Sequence, residues 1–388
     1  MAHVENLRRH FPAVRYITYL NTGNSGALPD ATVEAVGDIL KLQLEQGRGS
    51  SERPGLAETA SALRQELSHV FSASPQSFSL VSGVAQAAST VLWGLDLMEG
   101  DEILLTRLNH QDILLPAFIQ KQRRGVKLRY IDGTLPADAL VRELTNHLTA
   151  RTKIIMLPQV SYSTGHRLPV EQVIEAASRN GVPVFVDGGH AAGAEEVALD
   201  AMKPDFYAVS GHKWLCGPDG TGFLYMDNSW IDRLQLTHMD RSLLAYSQAY
   251  DDAGHYLPAS YAQRFDSSIT DLPKWTAFLK TLQFMRVTVG FDYSYTHVHG
   301  LSGELIDSLL DLSGVKVLTP REARAGIVSF QMTNSVAKKF VREATARQID
   351  LGWIPSVDAV RVSMGVYNNS GDIERVVKLI QELNTRGQ

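Results

Sequence analysis

Ser210-Gly211-His212-Lys213-Trp214-Leu215-Cys216-Gly217-Pro218-Asp219-Gly220-Thr221-Gly222 follows an apolar run, Phe206-Tyr207-Ala208-Val209. A short apolar run bounded by turn residues reads as a buried strand. A lysine at the end of such a strand, beside a glycine-rich turn, is desolvated. Desolvation disfavours the ammonium and leaves a nucleophilic amine near neutral pH. Upstream, a second apolar run ends in an aspartate: Val184-Phe185-Val186-Asp187-Gly188-Gly189-His190.

Working outward from these two runs, strands alternate with amphipathic segments between Tyr16 and Met226. Strands are expected at 77–81, 102–105, 126–131, 153–157, 183–187, 206–210 and 222–226. Helices are expected at 31–46, 56–70, 84–95, 114–122 and 170–179, with Asp30 as the first helix's N-cap after Pro29. Strand and helix in repetition mean an α/β fold, a mostly parallel seven-stranded sheet between helices. In such sheets ligands gather at the carboxyl ends of strands, where Asp187 and Lys213 fall. From about Asp271 the chain begins with helices and then carries short strands at 315–318, 326–330 and 359–363. Helices at 338–347 and 372–383 pack with them, making a small α+β lobe. The expected domains are a large one over 15–270 and a small one over 271–388, with residues 1–14 packing on the latter.

The 388 residues carry 44% hydrophobic and 20% charged side chains, as an ordinary globular protein does. The formal net charge of −5 gives no polyanion-binding signature, so neither nucleic acid nor a membrane is expected as a partner. Cys216 is the single cysteine. No intrachain disulfide is possible, and a reducing, cytoplasmic setting fits. The first residues lack a signal-type apolar core, and no apolar run approaches ~18 residues. No metal-ligand spacing appears.

Lysine and aspartate at the ends of successive strands are the two groups that pyridoxal phosphate (PLP) most needs. Lys213 would form the imine with its aldehyde, and Asp187 would keep its ring nitrogen protonated. The bland readings are a surface lysine and a turn-capping aspartate. Gly83-Val84-Ala85-Gln86 opens a helix directly after an apolar strand, and backbone N–H groups there suit a phosphate dianion. Ser210 and His212 flank Lys213 and offer further donors. His110, in Asn109-His110-Gln111-Asp112, follows a strand and could lie over the cofactor ring, although a lone loop histidine is more often simply satisfied. An amino-acid substrate needs a bidentate cation for its carboxylate. Arg361, in Val360-Arg361-Val362-Ser363, is the candidate, set against the default of a solvated arginine.

These residues together resemble the class V aminotransferase family of fold-type I PLP enzymes, over nearly the whole chain from Tyr19. Ser210-Gly211-His212-Lys213 with Gly217-Pro218 resembles the family's lysine motif, and Val186-Asp187-Gly188-Gly189-His190 its aspartate motif. Relatives usually carry glutamine at the position of His190, so the resemblance implies that His190 contacts the ring hydroxyl. It also implies that His110 stacks on the ring and that Arg361 holds the carboxylate. Tyr162-Ser163 stands where desulfurases have an asparagine near the ring, so the resemblance implies that Tyr162 donates to the ring hydroxyl or lines the substrate pocket. Thr270 is the candidate for a threonine lent to the neighbouring subunit's phosphate, in a register shared with Ser268 and Ile269. Relatives have threonine for phosphate where this chain has Ala85-Gln86, so backbone donors must do more. Asn24 and Arg48 are further candidate substrate contacts, Arg48 in the stretch Gln46-Gly47-Arg48-Gly49-Ser50-Ser51, where a solvated loop arginine is the simpler reading. Relatives are homodimers with sites at the interface.

Within the family the likeness is greatest to cysteine/cystine C–S lyases and isopenicillin N epimerase-like proteins. It is carried by Val91-Leu92-Trp93-Gly94-Leu95-Asp96, Gly100-Asp101-Glu102-Ile103-Leu104-Leu105-Thr106, Gly211-His212-Lys213-Trp214 and Tyr19-Leu20-Asn21. Cysteine desulfurases need a mobile nucleophilic cysteine about a dozen residues before the carboxylate arginine. Here 350–358 has none, and Cys216 sits three residues past Lys213. The resemblance therefore implies C–S β-elimination from a cysteine S-conjugate or cystine-like amino acid, with Lys213 as general base. Transamination, epimerisation and decarboxylating deamination share the early steps. A non-catalytic PLP-binding protein is the alternative of a different class.

Overall fold

The computed structural model describes residues 2–48, 55–267 and 270–386. Ser268, Ile269 and positions 49–51 of the glycine-serine stretch lie outside them.

A seven-stranded sheet runs in the order Phe78–Leu80, Gly222–Met226, Phe206–Ser210, Val184–Asp187, Thr152–Pro158, Glu102–Thr106, Lys127–Ile131. Gly222–Met226 is antiparallel to both its neighbours, and every other adjacent pair is parallel. Its strands alternate between two cores. Val184, Val186, Tyr207 and Val209 enter one with Phe278, while Phe185, Phe206 and Ala208 enter the other with Val91 and Met156. The two-residue side-chain period of a strand, with both faces covered, explains why these runs are apolar throughout.

The seven expected strands all form, with shifts of one or two residues at their ends. The helix Leu56–Phe71 and the helix Val170–Arg179 also lie where the apolar spacing put them. Between Tyr16 and Met226 two helices were not anticipated, Ala137–His147 and the short Leu199–Met202. The first buries Leu140 and Leu144, one turn apart, beneath a mostly polar surface. Asp30 is not the N-cap of the helix Asp30–Gln46. Pro29, extended at φ −73° and ψ 155°, takes that place, and its carbonyl accepts from Thr32 N at 3.1 Å. Asp30 stands in the first turn, where a carboxylate suits the helix dipole, and it faces His10 Nδ1 at 3.2 Å.

A second, antiparallel sheet follows the order Gly352–Ile354, Ala359–Ser363, Ile327–Met332, Val315–Val317. It builds a third core with the helices Phe291–Leu310, Ala337–Ala346 and Ser370–Arg386, around Val328, Phe330, Val360 and Ile373. The helix Leu272–Phe284 turns the other way, and its Trp275, Phe278 and Leu282 join a core of the large sheet. Near the N-terminus Leu7, Phe11 and Val14 pack with Phe284, Val289, Val366 and Tyr367. Arg8 pairs with Asp372 at 3.0 Å. No helix among the described residues is long and apolar enough to cross a membrane.

Candidate active site

Asp187 ends one central strand and Ser210 the next, and Lys213 follows three residues later. Asp187 and Lys213 are 4% and 8% exposed. Burial lowers the Lys213 amine to about 8, against the opposing pull of the Asp187 carboxylate. Burial raises the Asp187 carboxyl, while the Lys213 charge and a 2.8 Å hydrogen bond from Gly189 N oppose that rise. Gly189 lies between the two groups. A Cβ there would stand 3.0 Å from Asp187 Oδ1 and 3.2 Å from Lys213 Nζ, so the missing side chain keeps a space between amine and carboxylate.

His190 fills the position after this turn. Its Nε2 is 3.1 Å from Lys213 Nζ, and its Nδ1 is buried without a protein partner. Burial holds its pKa well below the ordinary histidine value, so the ring is neutral. The Trp214 ring stands edge-on to it at 5.8 Å, fixed by the indole N–H donating to Met364 O at 2.7 Å.

Gly83, before the helix Val84–Gly94, has φ +146°, a conformation that favours glycine. A Cβ there would come 2.8 Å from Ser210 Oγ. Val84 N donates to Ser210 Oγ at 3.2 Å, which ties this turn to the lysine loop. Ala85 and Gln86 follow within the first turn, whose N–H groups have no partner inside the helix. The Gln86 side chain is already engaged, accepting from Ser82 N at 2.8 Å.

His110 stands at the N-cap of the helix Gln111–Arg124, its Nδ1 3.2 Å from Asp112 N. Its ring meets Tyr162 edge-on at 4.8 Å and lies 6.4 Å from the His190 ring. The Tyr162 carbonyl accepts from Arg361 Nη1 at 3.4 Å. Arg361 is 7% exposed, its Nε has no partner, and burial pushes the guanidinium down to about 10. Gly352 lies opposite it across the strand pair, where a Cβ would come 3.0 Å from Nε. A buried cation without an anion is costly, so this arrangement suits an incoming carboxylate.

Other expected residues stand further out. His212 is half-buried and lines a separate cavity of 690 Å³ with Gly26 and Asp219. Burial lowers its pKa, and its carbonyl accepts from Gly26 N at 2.6 Å. Asn24 is exposed on the turn that this bond holds, and Arg48 is exposed beyond the end of the helix Asp30–Gln46. Thr270 borders a cavity of 1020 Å³ with Arg64, Arg241, Tyr246 and Asp266, which Lys213 does not line. Sequence reasoning gave no role to Gly189, Gly352 or Trp214. Their contributions are space and edge contacts, for which the chain carries no local signal.

The site therefore offers a lysine amine, a buried carboxyl, a glycine turn at a helix N-terminus, and a buried guanidinium. The unpartnered His190 Nδ1 and the gap at Gly189 complete a cradle that fits PLP. The family model for aminotransferase class-V matches residues 18–376. The chain belongs to this family. PLP is the family's cofactor, and the cradle around Lys213 accommodates it. A solved complex of the cystine C–S lyase C-DES with cysteine persulfide is 27% identical, with a TM-score of 0.88 over 95% of this chain and 99% of that one. A lysine-to-alanine variant of C-DES, with glycine linked to its PLP cofactor, is 26% identical, with a TM-score of 0.89 over 96% and 98%. A probable cysteine desulfurase of Halalkalibacterium halodurans is 24% identical over 94% of this chain and 93% of its own length.

Proposed function

We propose that the chain is a PLP-dependent C–S β-lyase acting on a cysteine S-conjugate or cystine-like α-amino acid. It releases a thiol or persulfide together with pyruvate and ammonia. One observation carries this choice: a poised lysine without a usable thiol. Cys216, the only cysteine, is 1% exposed and burial pushes its thiol up to about 12. A thiol that stays protonated and walled in cannot relay sulfur, whereas elimination requires none. The likeness to C-DES, itself called a cystine C–S lyase, supports the same reading.

When bound, PLP supplies an electron sink for the substrate α-carbon. Lys213 Nζ, an amine lowered to about 8, takes the α-proton as general base. Asp187, whose carboxyl is raised by burial, shares a proton with the ring nitrogen. The amides at Gly83, Val84, Ala85 and Gln86, with Ser210, hold the phosphate. His190 Nδ1, which has no protein partner, would contact the ring hydroxyl. Arg361 binds the substrate carboxylate with its guanidinium, whose buried Nε the protein leaves unpaired. His110 moves a proton at the substrate. The C–S electron pair leaves with sulfur, and water converts the remaining three-carbon fragment to pyruvate and ammonium.

Two lobes, 15–270 and 271–388, with the N-terminal 1–14 on the smaller, remain our proposed division. The helix Leu272–Phe284 then docks back onto the large lobe. A cytoplasmic homodimer is also proposed. Thr270 borders a cavity that Lys213 does not line, which suits a residue that acts across an interface.

The test is a panel of S-substituted L-cysteines given to the holoenzyme with and without a 2-oxo acid. Equal amounts of pyruvate and thiol without the 2-oxo acid are expected. Strict dependence on a 2-oxo acid would make the protein a transaminase.

A further inference from the structure

Asp112 stands in the first turn of the helix that His110 caps. Its carboxylate Oδ2 is 3.4 Å from His110 Nδ1, the same ring atom that lies 3.2 Å from Asp112 N. Nδ1 cannot serve both neighbours. Bonded to the backbone N–H, it carries a lone pair, and the ring proton is on Nε2. Bonded to the carboxylate, it carries the proton, and Nε2 presents the lone pair. Histidine is not among the favoured N-cap residues, so this placement is not explained by helix capping alone.

We propose that Asp112 is a positioning residue that draws the His110 proton to Nδ1, leaving Nε2 as the atom that exchanges protons with the substrate. The proposal rests on the reading that His110 moves a proton during turnover. Nε2 takes a proton from the reacting group and the ring becomes an imidazolium. Nδ1–H stays on the ionised Asp112 carboxylate. The same proton then returns from Nε2, so Asp112 never changes its charge. A third group that fixes the tautomer of a catalytic histidine is the general logic of nucleophile–base–orienter sites. The surroundings agree. The Asp112 carboxyl is held below its ordinary value, first by its hydrogen bond to His110, then by the charges on His110, Lys213 and His212, against the effect of burial. Tyr162 and His190 neighbour the same ring, with centroids 4.8 Å and 6.4 Å away.

The experiment uses holoenzyme labelled with ¹⁵N-histidine and two-bond ¹H–¹⁵N correlation spectra, with the His110 signals assigned by their loss in His110→Phe. The native protein is expected to carry the proton on Nδ1. Asp112→Asn keeps the shape but offers an amide N–H to Nδ1, so the proton is expected on Nε2. Its kcat should fall about a hundredfold, with KM and the visible absorbance of bound PLP unchanged. Asp112→Glu should restore the native tautomer and most of kcat. The same tautomer in native protein and Asp112→Asn, or full activity in Asp112→Asn, would overturn the proposal. The tautomer is read without regard to which substrate bond breaks. A chain that switches tautomer but releases no pyruvate would refute the lyase reading and leave this one standing.

Discussion

Lys213 Nζ and His190 Nε2 lie 3.1 Å apart in the buried centre of the site. The imidazole is neutral, so whenever Lys213 is an ammonium it donates to Nε2, and the ring proton then sits on Nδ1, which has no protein partner. An acceptor at that distance favours the ammonium and offsets part of the desolvation that lowers it.

Capture of PLP by the apo protein should reflect this balance. Only the free amine reacts, so the capture rate should rise with pH through a midpoint near 8. His190→Phe removes the acceptor and should shift the midpoint down by roughly one pH unit, the equivalent of one charged hydrogen bond. Stopped-flow absorbance measures both. A native midpoint at the ordinary lysine value would show that burial does not tune this amine.

Asp187→Asn should separate binding from chemistry. The amide keeps the shape and can still accept from Gly189 N, but it cannot neutralise a protonated ring nitrogen. Turnover should fall at least a hundredfold, the scale of one lost electrostatic partner, and PLP should dissociate more readily. Equilibrium dialysis and initial rates check the two effects.

Arg361→Lys should raise KM for amino-acid substrates and leave the absorbance of bound PLP intact. A lysine has no planar fork for a carboxylate. The charge remains, but losing one charged hydrogen bond costs roughly 1.5–3 kcal/mol, so kcat/KM should fall at least about tenfold. An unchanged KM would place the carboxylate elsewhere.

Glu195 gives the fold a pH dependence separate from catalysis. It lies 3.3 Å from Arg167, next to the contact of 166–167 with 323–324. Burial raises its carboxyl from 4.5 to about 7, with Arg167 and Arg324 opposing. The folded state thus holds this proton more tightly than the unfolded chain. Its contribution to stability is full below about 4.5 and is lost as pH rises to about 7. Urea unfolding at pH 5 and pH 8 should show a loss in the native protein about 1–3 kcal/mol larger than in Glu195→Gln. Equal slopes would contradict it.

The large sheet was legible because its central strands, such as Val184–Asp187 and Phe206–Ser210, are buried on both faces and read as unbroken apolar runs ending in turn residues. Lys213 and Asp187 were legible because strand ends are where such sheets place ligands. The helix Ala137–His147 was missed because only Leu140 and Leu144 carry its buried spacing through a polar surface. The return of the helix Leu272–Phe284 to the large sheet depends on contacts distant in sequence, as Trp275 and Phe278 would be apolar in either lobe. The His190–Lys213 contact and the clearance at Gly189 and Gly352 are set by three-dimensional packing, which a linear reading does not contain. Asp30 was assigned one position late because proline can itself take the cap.

Pyruvate against alanine is the most direct measurement. β-Elimination from cystine leaves its three-carbon fragment as pyruvate, whereas sulfur transfer to a protein cysteine leaves alanine. Holoenzyme incubated with L-cystine and no 2-oxo acid should release pyruvate and ammonia in equal amounts, and Cys216→Ala should do the same. Alanine released from L-cysteine, formed only while Cys216 is present, would contradict the C–S lyase assignment.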